Sequence, residues 1–263
     1  MSTQSAILEG PPAPPDLSDH AVVSREEWLA ARKALLKKEK ELYRERDRIA
    51  AQRRALPWVK VDKSYTFEGP DGKVTLADLF RGRSQLIIYH FMFGPGWKEG
   101  CGGCSFLADH FDSARLHFEH RDVAFAAVSR APLAEFAPFK QRMEWKFPWV
   151  SSNGSDFNYD YHVSFTEEQA AAGKAMYNYA PETDTGESHG ISVFYKNEKG
   201  EIFHTYSCYA RGGEEILGTF MMMDLTPKGR NEEGTMSWVQ LHDQYEDDCT
   251  EGPSCGCGKE AKA

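Results

Sequence analysis

Gln85-Leu-Ile-Ile-Tyr-His-Phe-Met-Phe93, Gly94-Pro-Gly-Trp97-Lys-Glu-Gly100, Cys101-Gly-Gly-Cys104 and Ser105-Phe-Leu-Ala-Asp-His-Phe-Asp-Ser-Ala-Arg-Leu-His-Phe118 follow one another without interruption. The first run is short, apolar and rich in β-branched and aromatic residues, the composition of a buried strand. The glycines and proline after it demand a loop. In the last run Phe106, Leu107, His110, Phe111, Ala114 and Phe118 recur at helical spacing. A strand, a Gly-rich loop and a helix therefore meet at a Cys-x-x-Cys. Unpaired amides and the positive dipole end at a helix N-terminus favour a thiolate. A thiol with a lowered pKa is a good nucleophile near neutral pH. Cys101 and Cys104 are thus candidate redox residues. A zinc site uses the same spacing, but it needs two further ligands, and the chain holds no second Cys-x-x-Cys and no His-x3-5-His.

The same rhythm continues on both sides. Tyr65–Phe67 reads as a short strand, Gly69–Lys73 as a turn and Val74–Phe80 as a short helical turn. Asp122–Ser129 reads as a second buried strand, and Pro132 to about Trp145 as a helix with Leu133, Phe136, Phe139 and Met143 on one side. Alternating strands and helices predict a parallel βαβ unit. Residues 148–187 break the alternation and read as an insertion near the site. Phe147–Val150 is a candidate strand there, and Glu167–Met176 a candidate helix. The pattern resumes with Ile191–Tyr195, a turn at Asn197–Gly200, a returning strand Ile202–Ser207 and a helix from Gly213 to about Met223. Cys208, in a strand of alternating pattern, reads as a small core or half-buried residue.

Outside this body, residues 1–20 are Pro-rich and predict a loose extension. Ser24 and Glu27 form a capping-box pattern. A helix is expected from Arg25 to about Leu56, within an arm spanning 21–57, and Pro57 ends it. Trp28, Leu35, Leu42, Ile49 and Leu56 recur every seven residues, with Leu29, Leu36, Tyr43 and Ala50 beside them. Arg25–Arg54 holds 11 basic and 6 acidic side chains, +5 in a chain whose total is −9, so the remainder carries −14. A basic arm beside an acidic body fits docking on itself or on a second copy better than nucleic acid. A homodimer through this helix is therefore expected. Residues 231–263 read as an acidic, poorly ordered tail carrying Cys249, Cys255 and Cys257, a candidate internal relay or metal-binding group.

No apolar run reaches the ~20 residues of a membrane span. Residues 1–15 lack a basic n-region and an apolar h-region, so a cytoplasmic location is expected, where disulfides are transient and thiols reactive. Neither a cofactor nor a nucleic-acid or membrane partner is called for. The partner expected is an unidentified thiol or disulfide substrate or electron donor.

Residues Tyr65–Met223 resemble a thioredoxin-like fold of the peroxiredoxin-like branch: a central mixed sheet flanked by helices, here within a domain spanning 58–230. More closely, the chain resembles an uncharacterised thioredoxin-like family, a domain of unknown function. The residues that carry the resemblance are His90–Pro95, Cys101–Phe106, Gly154–Asp160, His189–Phe194 and Asp224–Arg230. It implies this fold and a redox role. The reading taken from the residues is a thiol–disulfide oxidoreductase in which Cys101 attacks and Cys104 resolves, with Trp97 and the 151–161 loop as substrate rim. Two positions depart from the wider superfamily. Gly190-Ile191, preceded by His189, stands where thioredoxins place a cis-proline. Lys98 stands where peroxiredoxins place a Thr or Ser three residues before the peroxidatic Cys, although Arg130 at a strand end is positioned in sequence to support a thiolate. His189 is either a structural residue, a group that tunes the thiolate, or a ligand. In the last case Cys101, Cys104 and His189 would form a copper-delivery-like or three-ligand zinc site. A non-catalytic dimeric scaffold is the remaining alternative.

Overall fold

The computed structural model describes residues 17–183 and 185–245. The strands are β1 (Val59–Lys60), β2 (Thr66–Gly69), β3 (Gly72–Thr75), β4 (Gln85–His90), β5 (Val123–Ser129), β6 (Trp149–Ser151), β7 (Ser164–Phe165), β8 (Met176–Tyr177), β9 (Ala180–Pro181), β10 (Gly186–Glu187), β11 (Gly190–Lys196) and β12 (Ile202–Tyr209). The helices are α1 (Arg25–Arg54), α2 (Leu76–Leu79), α3 (Gly102–Glu119), α4 (Leu133–Arg142), α5 (Phe157–Asp160), α6 (Glu167–Ala171) and α7 (Gly218–Met223).

One eight-stranded sheet, in the order β1-β12-β11-β4-β5-β6-β2-β3, forms the body. β4, β5 and β6 run parallel, and β11 lies antiparallel on the other edge of β4. Period-two alternation explains why both faces are covered. Tyr89 and Phe91 on β4 and just beyond it, with Phe125 and Ala127 on β5, face α3 and α4 in one aromatic core. Leu86 and Ile88, with Ala124, Ala126 and Val128, face Leu76, Leu79, Phe80 and Phe157 in the second. This is the mixed, helix-flanked sheet expected of a thioredoxin-like fold.

His90 ends β4 on the second face, fully buried and stacked near Phe157 and Tyr161. Burial, with His204 nearby, pushes its pKa down to about 3. A chain of hydrogen bonds links it through Ser192 (2.8 Å) and Ser207 (2.9 Å) to the ring of His204 (2.7 Å).

Several expectations shift in detail. Trp149–Ser151, inside the expected insertion, is a strand of the main sheet, because it pairs in parallel with Ala127–Ser129. The helix expected at Glu167–Met176 stops at Ala171, and Met176–Tyr177 is strand. The helix expected at Gly213–Met223 is interrupted at Leu217, whose φ −83° and ψ 84° are not helical; a 3-10 stretch at Ala210–Ile216 precedes α7. Residues 231–245, expected as the start of a loose acidic tail, instead pack on α3, with Leu241 buried and Trp238 against Phe106 and Phe220. The Pro-rich residues 1–16 and Cys249, Cys255 and Cys257 lie outside the described residues.

α1 is capped as its sequence requires, with the Ser24 hydroxyl accepting from the Glu27 amide and the Glu27 carboxylate accepting from the Ser24 amide. None of its residues is buried. Its last turn touches the body where Arg53 meets Glu215 at 3.7 Å and lies over the Tyr206 ring.

Candidate functional site

Cys101 is the N-cap of α3. The fold puts it there in two steps. Buried β4 delivers the chain to the edge of the aromatic core, where the amide of Cys101 donates to the Met92 carbonyl (3.4 Å). Gly100 then passes so close to the core that a Cβ there would lie 2.5 Å from the Phe91 ring and 2.8 Å from Phe139. No larger residue fits without moving packed rings, so the loop's entry to α3 is fixed from beneath. The first turn closes through the Ser105 amide and hydroxyl, both donating to the Cys101 carbonyl (2.9 and 3.0 Å).

The two thiols have opposite surroundings. Cys101 is half-buried, and its pKa is lowered to about 6. The largest cause is the hydrogen bond from the Cys104 thiol, assisted by the Cys104 and Gly103 amides, while burial opposes it. These are the unpaired N–H groups that a serine or aspartate cap would engage elsewhere. Cys104 is 2% exposed, and burial pushes its thiol well above the ordinary range. Tyr89, fully buried behind it, donates to the Cys104 carbonyl (3.4 Å). Cys101, Cys104 and Cys208 are all free thiols in this structure.

His189 precedes β11 and is half-buried. Its Nε2 donates to the Ala210 carbonyl (3.2 Å), and burial lowers its pKa. It contributes nothing to the shift of Cys101. Among the described residues no group of three or more His, Cys, Asp or Glu side chains is placed to hold a metal ion, so Cys101, Cys104 and His189 do not assemble as the ligand set considered above. The His189–Gly190 peptide is trans, like every other described peptide. A Cβ at Gly190 would meet the Tyr209 ring at 2.6 Å.

Arg130 is also placed differently from expectation. Its guanidinium pairs with Glu187, a carboxylate 3% exposed that also accepts from Ser164 (2.7 Å). Its charge is thereby matched within the protein and is absent from the causes of the Cys101 shift. The pair serves the loop ahead of the cysteines. A Cβ on Gly94 would lie 3.0 Å from the Trp97 indole and 3.2 Å from Glu187, so both side chains pack on the same side of Gly94, and Arg130 lies 5.9 Å from the Tyr159 ring. Trp97, 37% exposed, thus lies against Glu187, whose partner Arg130 reaches Tyr159 in the 151–161 loop.

Sequence reasoning missed a strap. Residues 232–243 cross the start of α3, with the Met236 sulfur 3.1 Å from the position of a Cβ on Gly103 and the Val239 carbonyl facing Gly102. The Glu232 carboxylate folds the strap by accepting from the Met236 amide (3.0 Å) and the Trp238 indole (3.1 Å). Arg142 ties both sides together, pairing with Glu99 in the site loop and with Asp243 in the strap (2.6 Å). Asp109 on α3 accepts from Trp145 (2.7 Å) and pairs with His242 (2.7 Å). The apolar spacing of Met236, Trp238, Val239 and Leu241 inside an acidic stretch was the available signal.

The family model described as "Bacterial protein of unknown function (DUF899)" matches residues 17–245. A search of curated proteins found no match. Among solved structures, the chain is similar to the peroxidoxin BcpB from Mycobacterium tuberculosis, with a TM-score of 0.42 and 12% identity over 63% of this chain and 96% of that one. It is also similar to peroxiredoxin Q of Xanthomonas campestris (TM-score 0.39, 16% identity, 59% and 88% covered). A yeast mitochondrial 1-Cys peroxiredoxin is a further neighbour (TM-score 0.37, 15% identity, 64% and 78% covered). No helix among the described residues is long and apolar enough to cross a membrane.

Proposed function

We propose that this chain, which belongs to the bacterial DUF899 family, is a thiol–disulfide oxidoreductase whose exchanging pair is Cys101 and Cys104. One observation carries the reading: at the N-cap of α3 a half-buried thiol with pKa lowered to about 6 sits beside a buried thiol whose pKa is raised. Such a difference separates an attacking from a resolving cysteine. The Cys101 thiolate attacks one sulfur of a substrate disulfide. The substrate S–S bond breaks, a mixed disulfide forms, and the departing substrate thiolate takes a proton. Cys104 then loses its proton and attacks the Cys101 sulfur. The second substrate thiol leaves, and Cys101–Cys104 closes as a disulfide. Two electrons have passed to the substrate, and a dithiol donor restores the pair by the reverse exchange. Trp97 and the 151–161 loop would present the rim to the substrate chain.

The test is titration of the full-length protein in glutathione buffers, with mass spectrometry locating the disulfide. A Cys101–Cys104 disulfide with a potential between roughly −270 and −120 mV, the span of known exchange catalysts, supports the reading. A pair that never closes across that range overturns it.

A further inference from the structure

We infer that Cys255 and Cys257 form a tethered dithiol that recharges the Cys101–Cys104 disulfide after each exchange, an inference that rests on the function proposed above. Both cysteines lie outside the described residues. What points to them is the course of the strap. Gly102 and Gly103, poor helix formers, open the first turn of α3. The strap accounts for them. Its Val239 carbonyl stands 3.9 Å from the position of a Cβ on Gly102. A Cβ on Gly103 would lie 3.1 Å from the Met236 sulfur and 3.9 Å from the Cys101 sulfur. Strap and attacking thiol therefore meet over the same turn. Buried Leu241, Trp238 against Phe106, and the pairs of Arg142 with Glu99 and Asp243 hold the strap there.

Chain length then decides the reach. Tyr245, the last described residue, shares a groove with Asp109 and Ser113 of α3. Those positions lie about 12 and 18 Å along the helix from Cys101, at 1.5 Å per residue. Cys255 follows Tyr245 by ten residues and Cys257 by twelve. Ten extended residues span up to about 33–36 Å, so both thiols reach Cys101 with chain to spare. A tether of this kind holds its partner at an effective concentration on the order of millimolar. Cys249, four residues beyond Tyr245, stands alone. A single thiol stops at a mixed disulfide, whereas the two of Cys255-Gly-Cys257 complete an exchange.

Cys104 is 2% exposed, so the tail meets the oxidised pair at Cys101. One tail thiolate attacks the Cys101 sulfur. The Cys101–Cys104 bond breaks, a bond from Cys101 to the tail cysteine forms, and the Cys104 thiolate takes a proton. The second tail thiol loses its proton and attacks the first tail sulfur. Cys101 leaves as its thiolate, and Cys255–Cys257 closes as a disulfide. Two electrons have moved from the tail to the site. An external dithiol then reduces the tail disulfide as its own closes, without entry to the half-buried site.

The test gives fully reduced, full-length protein an excess of insulin and no other donor, with acid quench, alkylation and peptide mapping. The wild type is expected to end with Cys101–Cys104 and Cys255–Cys257 both closed, having opened two insulin disulfides per chain. Cys255→Ser/Cys257→Ser is expected to open one. In Cys101→Ser the tail thiols are expected to oxidise at least roughly tenfold more slowly, because their route passes through Cys101. A wild type that closes Cys101–Cys104 but keeps its tail thiols reduced overturns the inference and leaves the exchange function standing. Tail oxidation at an equal rate in Cys101→Ser overturns it as well, since the tail then acts alone. A tail oxidation rate that grows with protein concentration places the step between chains and removes the tether. If neither pair closes, the exchange function falls and the relay with it.

Discussion

Six of the 18 residues of α3 are buried, Cys104 among them, whereas the 30 residues of α1 bury none. α3 is held by the aromatic core beneath it and by the strap above it. α1 is held by its cap and by pairs along its own surface, such as Arg32 with Glu39 and Arg48 with Glu45. Such local pairs contribute little each. The two helices show what burial does for chemistry. Packing fixes the rotation of α3, so one thiol always sits at its end and the other always points inward. A helix without packing keeps its shape but has no fixed neighbour, which suits it to recognition rather than catalysis.

The contrast can be broken most sharply at the end of α3. Cys101→Ser is expected to lower disulfide reduction by at least about a thousandfold, because a serine hydroxyl cannot exchange with a disulfide. A variant reducing insulin at the wild-type rate would remove Cys101 from the reaction. The next largest effect tests packing: Phe106→Ala should destabilise the body by about 3–5 kcal/mol, since it empties a site enclosed by Phe220, Trp238 and His110. Leu42→Ala on α1 should leave the body's denaturant midpoint in place, and equal losses from the two changes would erase the distinction.

A smaller effect concerns pH. With the Cys101 pKa lowered from 9.0 to about 6, alkylation of that thiol should be half-maximal near pH 6, rising about tenfold from pH 5 to pH 8. The sign for stability follows from the same shift. The fold favours the thiolate, so the reduced protein should gain stability over Cys101→Ser as pH rises from 6 towards 9, and lose that margin as pH falls through 6. Alkylation half-maximal near pH 9 would show that the helix end does not act on this thiol. The smallest change is Ser24→Ala, which should reduce the far-UV helix signal of α1 while moving the body's melting midpoint by less than about 1 °C.

Much of this was legible in the sequence where local pattern and burial agree. The run Leu86–Tyr89 announced a strand because both faces of β4 are covered, and Phe106, Leu107 and Phe111 announced α3 because one of its faces is. Ser24 and Glu27 located the start of α1 because a capping box is a local device. What was not legible depends on partners distant in the chain. Arg130 looks free at a strand end, yet its counter-charge comes from Glu187, 57 residues later. The strap was hidden by acidic composition, although its few apolar residues decide where it lies. Nothing in the spacing of His189 shows that its ring is occupied by the Ala210 carbonyl.

The position of Cys101 as the cap of α3 has a thermodynamic consequence. A thiolate there supplies the negative end that the helix's free amides attract, and closing the disulfide withdraws that charge. Oxidation therefore costs the helix a partner that reduction returns. A dithiol stabilised in this way holds its electrons more tightly, so the disulfide is the more powerful oxidant. In the exchange proposed above, the end of one helix thus raises the potential of the pair and widens the range of dithiols able to recharge it.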